Sequence, residues 1–206
     1  MRASAWGSAV RAPVACGAVV KIYTRKGDDG TTGLLFGGRV PKDAPAIELN
    51  GAVDEAQAVL GLARAEADEG SELDELLLGL ERDLYVLMAE VATAPANRHK
   101  LTPGASIVTP EMVSALESRI DALSERFAMP TEFVLPGRNR ASAALDVART
   151  VVRRAERALV RAPTVPAESQ VRPYLNRLSD LLWAMARWQE GEHLESRSLG
   201  RAPGGT

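Results

Sequence analysis

Two histidines, one cysteine and an aromatic content of only 4% leave out much of the equipment from which many catalytic sites are built. With Cys16 alone, the chain can form no intrachain disulfide and no cysteine metal cluster, which suits a reducing, cytoplasmic compartment. His99 and His193 are too few for a multi-histidine centre, so no protein-held metal ion is expected. A charge excess is missing too. The formal net charge of -2 provides no basic surface to neutralise a phosphate backbone, which argues against nucleic acid as a partner. No apolar run approaches the length needed to span a bilayer, so no membrane segment is expected.

What the chain does have is length and aliphatic mass. Its 206 residues suit one domain, and 46% apolar residues rich in Ala and Leu point to packed helices. Residues 1–20 contain Arg2 and Arg11, many small residues and no acid. That composition overlaps weakly with organelle transit segments but lacks the compact apolar stretch of a secretory signal, so a disordered extension outside the fold is expected. The domain is placed at residues 21–195, with a frayed tail over 196–206.

In chain order, Lys21 to Thr24 is a short extended candidate that runs into Arg25-Lys26-Gly27-Asp28-Asp29-Gly30-Thr31-Thr32-Gly33. Such a loop can aim backbone N–H groups and hydroxyls at an anion, although glycine-rich turns are common and the Walker A ending is absent. Gly37-Gly38-Arg39-Val40-Pro41-Lys42 adds two cations. Five helices are expected next. The first covers residues 48–69, with Leu49, Val53, Ala56, Leu60, Ala63 and Ala67 in line and Asp54 on nearly the opposite side, facing water or a neighbouring subunit. A second starts after Ser71 as N-cap and ends by Pro95. After a loop to Pro110, in which His99 and Lys100 read as incidental, Thr109 and Pro110 open the third, which stops before Pro130.

The fourth helix carries two demands at once. Ala141, Ala144, Leu145, Ala148, Val151, Val152, Ala155 and Leu159 form a core stripe. Beside it stand Arg149, Arg153 and Glu156, with Arg154 and Arg157 further round. Ordinary i,i+3 and i,i+4 pairing on a solvated face is one account of these arginines; an anionic partner is the other. Ahead of the helix, Phe133-Val134-Leu135-Pro136-Gly137 is extended and then turns. The fifth helix is expected over residues 168–193. Its Leu178, Leu181, Leu182 and Met185 form a core side, and Arg172, Asn176, Asp180, Trp183 and Arg187 form the opposite side, a solvated face or a site wall.

Three blocks, residues 22–33 (IYTRKGDDGTTG), 133–157 (with FVLPG and ARTVVRRAER) and 174–187 (YLNRLSDLLWAMAR), together resemble the PduO-type corrinoid adenosyltransferases, which are ATP:cob(I)alamin adenosyltransferases. The resemblance spans about residues 21–192 and implies an all-α, five-helix, ferritin-like bundle forming a homotrimer, with ATP between adjacent subunits. It implies Thr24, Gly27, Asp28 and Thr32 in a loop closing over the triphosphate, with Lys42 adding charge. Arg153 and Glu156 would bind nucleotide and Asn176 would hold ATP, while Arg149 would pair with Asp54 of the neighbouring chain. Phe133 would displace the lower axial ligand of cobalt, easing reduction of Co(II), and Asp180 would lie near corrinoid and nucleotide.

The implied reaction transfers the 5′-deoxyadenosyl group of ATP, with Mg²⁺, to cob(I)alamin and releases triphosphate. Cob(I)alamin is itself a strong nucleophile, so the absence of a laid-out Ser, Cys or His nucleophile is no obstacle. Partners implied are a cob(II)alamin reductase and an adenosylcobalamin-dependent enzyme. Departures from the family pattern stand at Ala52, Gln57, Arg138 and Trp183. The first three motivate an alternative, a non-catalytic bundle that binds ATP or adenosylcobalamin for delivery or sensing, while Trp183 bears on the corrinoid side.

Overall fold

The computed structural model describes residues 22–192 together with 194 and 196. The expected extension over residues 1–20 and most of the expected tail lie outside the described residues, as does His193. Five α-helices carry the fold: α1 Pro45–Arg64, α2 Glu72–Val91, α3 Pro110–Ser124, α4 Arg140–Leu159 and α5 Val171–Glu190. The expected all-α class and its five-helix bundle are borne out. Two short strands, β1 Thr31–Gly33 and β2 Arg39–Pro41, form an antiparallel ribbon with Thr32 opposite Val40. Residues Pro95–Lys100, expected as loop, wind into a 3₁₀ helix.

Local chemistry sets the boundaries. Pro45 opens α1 in its first turn, so the helix starts three residues earlier than the apolar pattern alone suggests. Ser71 accepts from the Asp74 N–H at the start of α2, and Thr109 accepts from Met112 N–H at the start of α3. Asn139 and Ser142 make a reciprocal cap for α4. Gly191, with φ 65°, ends α5.

Packing runs α2–α1–α4–α5–α3, so α1, α4 and α5 form the middle of the bundle. The expected stripes on α1 and α2 are buried, among them Leu49, Val53, Leu60, Leu77, Leu80 and Leu87. The reading of α5 as two-sided needs correction. Tyr174, Leu175, Leu178, Leu181, Leu182, Ala184, Met185 and Ala186 are buried around most of its girth, as befits a helix packed between α3 and α4. Arg187 belongs with them, at 2% exposure, and Trp183 is half-buried edge-on to Phe127, with ring centroids 6.0 Å apart. Only Arg172 and Asp180 of the supposed open face are exposed, because α4 and α3 cover the rest. No described helix is long and apolar enough to cross a membrane.

Candidate functional site

The glycine loop is held by one arginine. Arg39, on β2, donates through Nε to Thr31 Oγ1 at 2.9 Å and through Nη2 to Thr31 O at 3.2 Å and to Lys26 O. Asp29 completes the loop by accepting from Thr31 N–H at 2.9 Å and from its hydroxyl at 2.8 Å. These bonds, the N–H donation above all, hold the Asp29 carboxyl below the usual range. Lys42 folds over Gly27: a Cβ there would lie 3.2 Å from Lys42 Nζ and 3.3 Å from Thr31 O. Glycine at residue 27 therefore makes room for an ammonium group against the backbone. Thr24 and Asp28 are exposed on the same loop, and Thr32 is half-buried in the ribbon. Sequence reasoning missed Arg39 as organiser; its place opposite Gly33 in a ribbon register was the unseen link.

On α4 the arginines divide into two faces. Arg154 pairs with Glu55 of α1, and Arg154, Arg157 and Arg161 line a cleft of about 470 Å³ with Asp43, Pro45 and Glu48. Arg153, on the other side, is exposed and its guanidinium forms no ion pair among the described residues. Three residues on, Glu156 accepts from Asn176 Nδ2 at 3.2 Å, and Asn176 Oδ1 accepts from Arg177 Nη1 at 2.6 Å. The amide is thus fixed from both ends across the α4–α5 groove. Arg177 also reaches Glu117 of α3 at 2.9 Å and Asp180 at 3.8 Å. Arg177 is a second residue that the sequence reading overlooked.

Phe133 stands at the edge of another cleft of about 470 Å³, lined also by Pro130, Thr131, Val134, Trp183 and Ser196. The ring is 88% exposed at the mouth of this cleft. Its segment is strapped: Leu135 N–H donates to Leu194 O and Ser196 N–H donates to Phe133 O, both at 2.8 Å. Ser196 was expected to fray; instead its backbone hydrogen-bonds beside the ring.

Arg149 donates through Nε to Asp146 Oδ1 at 3.3 Å, while Asp54 lies exposed on α1 with no ion pair among the described residues. Within one chain the candidates therefore fall into three groups, the loop with Lys42, the α4–α5 set, and Phe133 with Trp183, and Asp54 stands apart from them on α1. Among the described residues no three His, Cys, Asp or Glu side chains converge as a metal site.

The helical bundle thus presents an exposed Arg153 with no ion pair among the described residues and, apart from it, a cleft edged by Phe133 and Trp183. Residues 22–189 match the family model described as cobalamin adenosyltransferase, and the chain belongs to that family. It is 42% identical over 171 residues to a corrinoid adenosyltransferase of Citrobacter freundii, covering 82% of this chain and 95% of the relative. A second relative, corrinoid adenosyltransferase PduO of Salmonella typhimurium, is 41% identical, and the match spans 83% of this chain but only half of that protein. Among solved structures, a phenylalanine-to-alanine variant of a PduO-type ATP:corrinoid adenosyltransferase from Lactobacillus reuteri, complexed with cobalamin and ATP, superposes with a TM-score of 0.75 at 28% identity, covering 86% of this chain and 99% of that one. An arginine-to-lysine variant of the Lactobacillus reuteri enzyme, complexed with ATP, gives 0.71 at 29% identity, covering 82% and 94%.

Proposed function

We propose that this protein transfers the 5′-deoxyadenosyl group of ATP to cob(I)alamin, with release of triphosphate. One observation carries the reading. The Glu156–Asn176 hydrogen bond sets a fixed polar pair beside the unengaged Arg153 guanidinium, in a chain that matches the family from residue 22 to residue 189. The cobalt of the reduced substrate supplies the electron pair for the new bond to C5′, and the C5′–O bond breaks towards the triphosphate. The chain's own task is to hold the two substrates in line and to favour charge developing on the leaving oxygen. Alignment alone contributes on the order of 7–11 kcal/mol in well-oriented reactions.

Arg153, with Lys42 over the Gly27 backbone, suits that charge, since charge-assisted donors act most strongly on an oxyanion. Thr24, Asp28 and Thr32 are assigned to the loop that closes over the phosphates. Magnesium, bound with the ATP, would help to neutralise the charge of the leaving triphosphate. Asn176, restrained by Glu156 and Arg177, would hold the nucleotide, with Asp180 between nucleotide and corrinoid. Phe133 would press on the lower face of the corrinoid, which accounts for a ring left bare in water.

The three groups of residues meet, in this reading, across the seams of a homotrimer. Asp54 of one subunit would pair with Arg149 of the next. Support comes from large apolar side chains exposed near both partners: Tyr85 lines the same surface cleft as Asp54, and Val147 the same cleft as Arg149. A cob(II)alamin reductase and an adenosylcobalamin-dependent enzyme would act before and after it. Departures that motivated a non-catalytic binder have work inside the chain: Ala52 is buried in the core, and Gln57 donates to Glu81 O at 3.1 Å. Neither residue favours the non-catalytic reading.

The test is to reduce cobalamin to Co(I), add Mg·ATP and follow absorbance. Growth of the adenosylcobalamin spectrum is expected; ATP binding without turnover would overturn the catalytic assignment.

A further inference from the structure

Beneath Arg149 lies a charge cluster with no part in the scheme above. Arg187 Nη2 donates to Asp146 Oδ2 at 2.6 Å and to Glu190 Oε1 at 2.9 Å, and its Nε faces Glu190 Oε2 at 2.8 Å. Asp146 is 5% exposed. Its other oxygen takes the 3.3 Å bond from Arg149 Nε. The four groups sum to zero formal charge, yet taking them out of water is costly, and packed apolar residues at such sites often serve stability as well or better. An expensive buried pair that ends on a partly exposed arginine calls for a reason beyond cohesion.

The geometry points to Asp146 and Arg187 as positioning residues: the buried Arg187 fixes the Asp146 carboxylate, and Asp146 aims Arg149 at the nucleotide side. This inference rests on the proposed pairing of Arg149 with Asp54 of the neighbouring subunit, at the seam where ATP is placed. Each oxygen of Asp146 serves one guanidinium, so the carboxylate acts as a two-ended clamp across α4 and α5. The Arg187 guanidinium also lies 5.6 Å from the Trp183 ring centroid, over the wall of the Phe133 cleft. One buried cation thereby braces both the nucleotide side and the aromatic cleft.

Asn at residue 146 keeps one carbonyl oxygen and can accept from only one of the two arginines. Buried Arg187, with no water to turn to, has the stronger claim on it; Arg149, partly exposed, is released. The experiment is a double-mutant cycle on Mg·ATP affinity, read by calorimetry and backed by thermal melts of each variant. Asp146→Asn is expected to raise Kd about tenfold in the parent chain and less than about twofold in an Arg149→Ala background. Losses that multiply in the double variant would overturn the positioning role and leave a merely structural cluster. Should Asp146→Asn fail to fold, Arg187→Lys serves the same cycle. A single ammonium cannot bind both carboxylates as the guanidinium does, so a weakening seen only with Arg149 present is again expected. Parent protein that binds no Mg·ATP would overturn the functional reading itself and the positioning role with it. Parent protein that binds, with additive variants, would overturn the positioning role alone.

Discussion

Arg153 and Arg154 are neighbours in sequence and both are exposed, yet the bundle treats them differently. Arg154 turns to α1, where Glu55 meets it and Glu48 and Asp43 share its cleft. Arg153, rotated 100° further round an ideal helix, shares its side with Glu156 but forms no ion pair among the described residues, Glu156 being engaged by Asn176. A cation satisfied within its own chain serves the fold weakly; one left unsatisfied is available to a ligand. The two faces of α4 differ in what the neighbouring helices offer, not in composition.

The sharpest way to break this comparison is to truncate each arginine. Arg153→Ala is expected to lower kcat/KM for ATP by about 100-fold with an almost unchanged melting temperature, since one lost donor to a developing oxyanion costs on this scale. Arg154→Ala removes a pair whose side chains are 49% and 52% exposed, so stability should fall by no more than about 1 kcal/mol, with near-parental turnover. Steady-state kinetics and melts on both variants decide it; equal kinetic damage would erase the distinction between the faces.

The next effect concerns the bare ring. Phe133→Ala should slow the reaction started from Co(II) by about tenfold or more, a rise of roughly 1.4 kcal/mol in barrier, while ATP affinity holds. An unchanged Co(II) rate would remove Phe133 from the corrinoid side. Gly27→Ala is smaller again. The new Cβ would crowd Lys42 Nζ at 3.2 Å and Thr31 O at 3.3 Å, so the ammonium must move. A KM for ATP raised about fivefold, equivalent to roughly 1 kcal/mol, is expected from overpacking of this kind.

Much of this was legible beforehand because α1 to α4 carry regular apolar stripes, and α2 and α3 also have clear caps. Leu73 to Val91 repeats at helical spacing, and Ser71, Thr109 and Pro110 mark their helix starts. What escaped was whatever depends on a partner from elsewhere in the chain. Arg187 looks like any surface arginine until α4 brings Asp146 to within 2.6 Å. Likewise Ser196 looks like the start of a tail until Phe133 O accepts its N–H. Periodicity reports which side of a helix is apolar; it is silent on which polar group a second helix supplies.

Tyr174 approaches the comparison from the opposite end, as a polar group wholly engaged within the chain. The side chain is fully buried and its hydroxyl donates to Asp83 Oδ2 at 2.9 Å. Burial first, then the charge of Asp83, pushes the phenol well above its ordinary value of 10.0. Because the folded-state value is the raised one, the stability it contributes is fully present below about pH 10, the unfolded value. It is lost as pH rises, since the unfolded chain releases its proton first. Tyr174→Phe leaves Asp83 without its donor, a cost of about 1–3 kcal/mol at neutral pH. The variant's deficit in urea unfolding should therefore be largest near pH 7 and shrink above pH 10, where the parent loses its own advantage, with kcat unaffected throughout. A deficit constant across that range would mean the phenol does not ionise on unfolding. A drop in kcat without loss of fold would tie an internally satisfied group to catalysis, against the division drawn on α4.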